Sequence, residues 1–421
     1  MATRSESRPW FADPSAGAFL AAAVAILLSV GTGALLHVGF YKRAQISDVP
    51  IYERYGDAVA RGNVPYRDYG LEYPPGALPV FVLPALGNEG DRGAYRATFE
   101  LEMWFCGALV LVLMALALRA IGAGRARLWA ALAFAVVAPL LLGSVVRSRF
   151  DLWPAAVATG ALAALVAGRR LVGLGALGAA FAVKLWPAAL LPLALVYLWR
   201  REGRRAAAAG AAAFAAVAGA IFLPFVALSA DGVHHALTRQ TGRPLQVESL
   251  ASGVLLALHQ LGLLSIRMKS SFGSQNLAGS LPDALATAQT VVELGLVAAL
   301  CVAFTRGPAT PERLLRYAAA TVCAFVAFGK VLSPQFLIWL IPLVPLVRGR
   351  RGVAASALLG AILVLTQLWF PHRYWSLALH FATLPSWLVL VRDLLLVALM
   401  ALLAWPTPRL SGSLSLTSSE R

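Results

Sequence analysis

Apolar runs recur along nearly the whole chain, many of them roughly 20 residues long, the length of helix that crosses about 30 Å of hydrocarbon. Only 13% of residues are charged, 59% are hydrophobic, and the mean hydropathy is +0.72. A chain of that usage dissolves in lipid, not water. It is expected to be an all-α polytopic membrane protein, and the first question is which connections lie on which side.

The arginines answer it. A net charge of +16 would suggest a nucleic-acid partner in a soluble domain. Here the cations sit as short clusters between apolar runs, the pattern of positive-inside loops and anionic-headgroup contacts, so no nucleic acid is expected. After apolar runs at 17–40, 98–118, 128–146, 152–167, 171–183, 185–199 and 206–228, every second connection carries a cluster. These are Arg119, Arg125 and Arg127, then Arg169 and Arg170, then Arg200, Arg201, Arg204 and Arg205, with Arg4 and Arg8 putting the N-terminus on the same, cytoplasmic side. The shorter run 250–264 is either a full span or a re-entrant segment. Were it to cross, Arg306, Arg313 and Arg316, then Arg348, Arg350 and Arg351, would fall outside, so it reads as re-entrant or interfacial. Runs at 286–304, 317–332, 336–347, 353–370 and 385–404 then complete about 12 crossings with both termini cytoplasmic.

The expected organisation is a cytoplasmic N-terminal segment, 1–16, one transmembrane domain, 17–405, and a Ser- and Pro-rich disordered cytoplasmic tail, 406–421. The transmembrane domain would hold a long first extracytoplasmic loop at 41–95 and a second outer loop at 230–285 containing the re-entrant segment. The first run exceeds a signal h-region and no small-residue cleavage site clearly follows it, so it is expected to stay as the first membrane helix. No repeat of fixed period is visible. The three cysteines, Cys106, Cys301 and Cys323, lie inside apolar runs without ligand spacing and read as small buried hydrophobes.

With this topology the outward side collects nearly all the conspicuous polar sequence, and convergence of separated polar segments on one face suggests a site. Asp48 lies just beyond the first helix, where a carboxylate can accept a proton from an incoming hydroxyl. It equally suits the N-cap of a helix of about 50–61. Farther along come Pro65-Tyr66, the run Glu72-Tyr73-Pro74-Pro75, and the turn Arg147-Ser-Arg149-Phe-Asp151. That turn is either a local salt-bridged structure or a clamp for phosphate oxygens. Lys184 and Lys330 are embedded at the outer ends of apolar runs, where a cation costs about 2.5–3.5 kcal/mol on insertion scales and calls for an anionic partner, unless it snorkels to the interface. The segment from Gln240 to Ser249 brings Arg243, Gln246 and Glu248 just before the short apolar run, suited either to sugar hydroxyls or to capping that run. Asn276, Gln335 and the stretch from His372 to Tyr374 complete the outer polar set.

In combination these residues resemble glycosyltransferase family 87. The resemblance rests on Asp48 after the first helix, Pro65-Tyr66, Glu72-Tyr73-Pro74-Pro75, Arg149-Phe150-Asp151, Lys184-Leu-Trp-Pro187, Gln240-Thr-Gly-Arg243, Glu248-Ser249 and Lys330-Val-Leu-Ser-Pro-Gln335, spread over nearly the whole chain. It implies a GT-C-like bundle and a cell-membrane enzyme that moves a sugar, mannose being the family's commonest, from a polyprenyl-phosphate donor to a glycolipid or glycan acceptor on the extracytoplasmic face. Asp48 matches the family's acidic base. Lys330, Arg149, Lys184 and Arg147 are then expected on the donor phosphate, and Glu72, Tyr73, Asp151, Gln240, Arg243, Glu248, Asn276 and Gln335 around the sugar or acceptor. Some relatives have a histidine near the end of the Ser-Pro motif, where this chain has Gln335. No nucleotide-binding Gly-rich loop or Asp-x-Asp motif is present, so neither metal nor cofactor is expected. The competing class is a lipid or small-molecule transporter or flippase, which also uses intramembrane cations and broken helices. It calls for polar residues at both ends of its pathway, whereas the cytoplasmic side here offers little beyond arginines.

Overall fold

The computed structural model describes residues 14–43 and 46–406. Arg4 and Arg8, and the tail beyond 406, lie outside the described residues.

Each of the twelve apolar runs read as a crossing is helical for most of its length. Seven helices are long and apolar enough to cross a membrane by length and composition, among them Arg92–Ala120, Arg204–Leu228, Ser280–Thr305 and Thr383–Ala404. The others are shorter: Leu152–Val166 and Arg170–Val183 have 15 and 14 residues. The run 336–347 is no α-helix at all, but two 3-10 turns within Pro334–Leu346. Pro334, Pro342 and Pro345 lack the N–H that an α-helix interior needs, and the tighter turns accommodate them. These short pieces are enclosed by protein, so their broken backbone does not face hydrocarbon. Pro311–Phe328 is the centre of the bundle, with Ala318, Ala319, Ala320, Val322 and Cys323 fully buried.

The arginine clusters interlock at one end of the bundle. Arg127 and Arg348 converge on Glu312, at 3.4 and 3.2 Å. Arg200 donates to the Thr305 carbonyl at 2.6 Å and Arg316 to that of Trp405 at 2.9 Å, while Arg170 pairs with Glu202. Five connections and the end of the last described helix are thereby fastened together by charge-assisted bonds.

The opposite end carries the polar segments. The stretch after the first helix is a folded cap and not an open loop. Its amphipathic helix Val49–Ala60 and the short turns Pro75–Ala77, Leu78–Val82 and Leu83–Ala85 enclose an aromatic core of their own. Tyr52 stacks on Phe81 at 4.6 Å, and Phe81 meets Phe150 edge-on at 5.2 Å. Pro74 and Pro75 leave Gly76 pressed on the end of Arg170–Val183, where a Cβ would lie 2.7 Å from the Ala182 carbonyl carbon and oxygen. Leu250–Gln260, of 11 residues, begins beside the cavity described below and ends with Gln260 accepting from Thr383 at 2.8 Å. Its start lies against Leu390 and Asp393, midway along Thr383–Ala404, and its end at the beginning of that helix. A two-stranded hairpin, Arg267–Ser271 with Ser274–Ala278, follows it.

Candidate active site

Asp48 directly precedes the helix Val49–Ala60, yet its side chain makes no capping hydrogen bond. Ser47 accepts from the Val49 N–H instead. The Asp48 carboxylate is turned inward to Arg149, with Oδ1 2.9 Å from Nη1. Arg149 is 6% exposed and takes an extended conformation between the Val145–Ser148 turn and the turn that leads into Leu152–Val166. Two residues on, Asp151 is 1% exposed and caps no helix. Its Oδ1 accepts from Lys184 Nζ at 2.6 Å and from the Trp339 indole at 2.7 Å. The Lys184 ammonium also lies 4.7 Å from the Phe150 ring centre and 5.3 Å from that of Trp339. It does not snorkel; a carboxylate and aromatic faces hold it in place.

The segment from Arg243 to Ser249 is stitched into place by its backbone. Gln246 N–H donates to the Lys330 carbonyl at 3.0 Å, Val247 N–H to that of Gln275 at 3.0 Å, and Leu245 accepts from Leu277 at 2.9 Å. This adds an edge to the hairpin and brings the 330–335 turn alongside. Gln246 Nε2 then donates to Glu248 Oε2 at 2.6 Å and to Ser333 Oγ at 2.9 Å. Burial pushes the Glu248 carboxyl up to about 8. Lys330 Nζ donates to the Thr241 carbonyl at 2.7 Å.

These pieces enclose one cavity of about 490 Å³, within the usual range of ligand sites. Asp48, Arg149, Lys184 and Lys330 border it together, as do Glu72, Tyr73, Gln240, Arg243, Glu248 and Gln335. Gln240 and Arg243 shape the wall, donating to the carbonyls of Glu72 and Phe272 at 2.8 and 3.2 Å. Gln335 Oε1 is buried without a hydrogen-bond partner. Burial lifts the Tyr73 phenol well above its usual range, so it stays a neutral donor.

Three of the residues expected here stand elsewhere. Arg147 lines a different cavity and pairs with Glu100 at 3.2 Å. Asp151 lies behind Lys184 without reaching the cavity. Asn276 is 1% exposed and spends its amide on the hairpin, donating to the Ser271 and Ser274 carbonyls at 2.9 and 3.2 Å. The structure also adds lining groups not named as site residues from the sequence: Glu293, and Trp186 and Ser333 from the motifs quoted above. Glu293 was detectable as an isolated carboxylate within the Ser280–Thr305 span, where an ionisable group is costly. The same signal marks Arg392-Asp393 in Thr383–Ala404, both fully buried, with Arg392 Nη2 donating to the Glu248 carbonyl at 2.7 Å. Among the described residues no group of three His, Cys, Asp or Glu side chains is arranged to hold a metal.

The model of glycosyltransferase family 87 matches residues 71–334, more than half of the chain. The chain belongs to glycosyltransferase family 87. That match takes in Glu72, Tyr73, Arg149, Lys184, Gln240, Arg243, Glu248 and Lys330, so most of the cavity wall falls inside the family region. This family 87 protein is a multi-pass membrane glycosyltransferase built as a helical bundle. Among solved structures, the crystal structure of ArnT from Cupriavidus metallidurans in the apo state is similar to it. The TM-score is 0.47 at 16% identity, over 92% of this chain and 76% of that one. No curated protein matches the sequence.

Proposed function

We propose that this glycosyltransferase moves a sugar, mannose in the first instance, from a polyprenyl-phosphate donor to a glycolipid or glycan acceptor at the extracytoplasmic face of the cell membrane, with both termini cytoplasmic. The observation that carries the reading is that the Asp48 carboxylate and the cationic side chains Arg149, Lys184, Arg243 and Lys330 border a single cavity. Departure of a polyprenyl phosphate develops negative charge on phosphate oxygens, and preorganised cations in a site shielded from water stabilise that charge strongly.

In the proposed reaction the acceptor hydroxyl gives its proton to the Asp48 carboxylate, and its oxygen forms a bond to the anomeric carbon. The bond from that carbon to the phosphate oxygen breaks, its electron pair leaving with polyprenyl phosphate. Attack from the face opposite the leaving group inverts the carbon. Arg149 presents a planar fork suited to two phosphate oxygens, and Lys184 a point charge held steady by Asp151. The donor phosphate competes with the Asp48 carboxylate for the Arg149 guanidinium, so donor binding frees the carboxylate for the acceptor hydroxyl. Donor binding and activation of the base are coupled in this way. Neutral Glu248, Tyr73 and Gln335 supply hydrogen bonds to sugar hydroxyls.

Transfer from a radiolabelled polyprenyl-phosphate mannose by the purified protein tests the reading directly. Label appearing in a lipid or glycan acceptor, and abolished in Asp48→Asn, is the expected result. Absence of transfer from any polyprenyl-phosphate sugar, with the same acceptor labelled from a nucleotide sugar, would overturn it.

A further inference from the structure

A second cavity, of about 590 Å³, lies beside the first among the helices Pro14–Leu35, Arg92–Ala120 and Arg125–Leu142. Its walls are apolar for most of their extent, with Leu36, Met103, Val110 and Val136 inside. At its edge Val30 and Leu101 are 52% and 53% exposed, on helices of membrane-spanning length. The groove therefore opens sideways, where hydrocarbon chains of the bilayer lie.

One end of this groove is polar and cationic. Glu100 receives His37 at 2.7 Å, Arg96 at 2.8 Å and Arg147 at 3.2 Å, so two guanidinium groups and an imidazole share one carboxylate. The Arg147 side chain is only 8% exposed, and its Nε is buried with no hydrogen-bond partner. A buried guanidinium donor left unpaired is costly, which makes an incoming anion a good complement.

We propose that this groove is a binding site for an anionic phospholipid, with one acyl chain along the Pro14–Leu35 and Arg92–Ala120 helices and the headgroup phosphate on Arg147. The backbone itself argues for a phospholipid over the reacting lipid. Arg147 lines the groove, while Arg149, two residues on, lines the cavity that holds Asp48, so the chain from Val145 to Asp151 is a partition between the two. A phosphate on Arg147 sits across that partition from the carboxylate and takes no part in transfer. It braces the Val145–Ser148 turn from which Arg149 is presented.

The test uses the full-length protein, delipidated in neutral detergent and titrated with phosphatidylglycerol, phosphatidylcholine or polyprenyl phosphate, bound lipid being read by native mass spectrometry. Phosphatidylglycerol should bind at least about tenfold more tightly than phosphatidylcholine and lose about tenfold in Arg147→Gln. Gly33→Leu fills the groove from its wall without touching the arginine, since a Cβ there would meet only Trp104, at 4.0 Å. It too should weaken phosphatidylglycerol by about tenfold, with the melting temperature held. Equal affinity for the two phospholipids, or wild-type binding by a folded Gly33→Leu protein, overturns the proposal. So does displacement of phosphatidylglycerol by equimolar polyprenyl phosphate, which would give the groove to the reacting lipid. No sugar donor is present in these titrations, so their failure leaves the transfer reaction standing.

Discussion

Asp48 and Arg149, 101 positions apart in sequence, form an ion pair on the cavity wall, with Oδ1 2.9 Å from Nη1 and side-chain exposures of 26% and 7%. The more exposed partner is the carboxylate and the more deeply held one the guanidinium. An acceptor can therefore reach Asp48 while Arg149 stays fixed by the protein around it. Rate should depend on both members, through different parameters.

Asp48→Asn keeps the shape and removes the basic oxygen. Loss of a general base costs typically 10²–10⁴-fold, so kcat should fall by about that factor while the donor KM stays within a few-fold. Steady-state kinetics with a polyprenyl-phosphate sugar checks this, and activity within a few-fold of wild type would remove Asp48 from the role. Arg149→Lys replaces the fork by a point charge and should lower kcat by about 10²-fold, with a raised donor KM.

Asp151 is read as a support for Lys184 and not as a group that touches sugar. Removing one partner of a buried ion pair typically costs about 3–5 kcal/mol, because the other charge is left unpaired. Asp151→Asn should destabilise the protein on that scale, and Asp151→Asn combined with Lys184→Met should recover part of the loss. Denaturation of the four proteins in one detergent gives the cycle; strictly additive effects would show that the 2.6 Å contact carries no coupling.

The Glu248 carboxyl gives a pH signature. In the unfolded chain it titrates near about 4.3, whereas burial in the fold holds it at about 8. Between those values the unfolded state has lost a proton that the native state keeps. Stability should therefore fall with rising pH through that window, by up to about 1.4 kcal/mol per unit, and level off above it. Glu248→Gln should flatten the slope. Identical pH–stability curves for the two proteins would exclude Glu248 as the titrating group.

Gly76 allows the Pro74-Pro75 turn to rest on the helix that ends at Lys184. A Cβ at this position would lie 2.7 Å from the Ala182 carbonyl, so Gly76→Ala must push the two apart. Overpacking of this kind costs about 1–3 kcal/mol. The displaced neighbour leads into Lys184, so activity should drop along with the melting temperature. Full activity at an unchanged melting temperature would show that the turn and the helix are not in register-critical contact.

Sequence by itself determined the membrane bundle and the family. Apolar length and arginine placement act locally along the chain, and the bilayer reads them without reference to tertiary neighbours. It also supplied Asp48, Lys184 and Lys330 on the cavity wall, because an embedded lysine or a carboxylate beside a membrane helix is conspicuous wherever it occurs. Only the tertiary structure decided their partners. Arg147 and Arg149 look alike in sequence, yet an extended backbone sends them to different cavities. Asp151 and Asn276 look like site residues but are consumed internally, by Lys184 and by the hairpin. The run 336–347 had the length of a marginal span, but its prolines and its enclosure made it a pair of tight turns carrying Trp339 to Asp151. Glu293 and Arg392 enter the site region only because helices far apart in sequence pack there, and no local period or charge bias encodes which faces will meet.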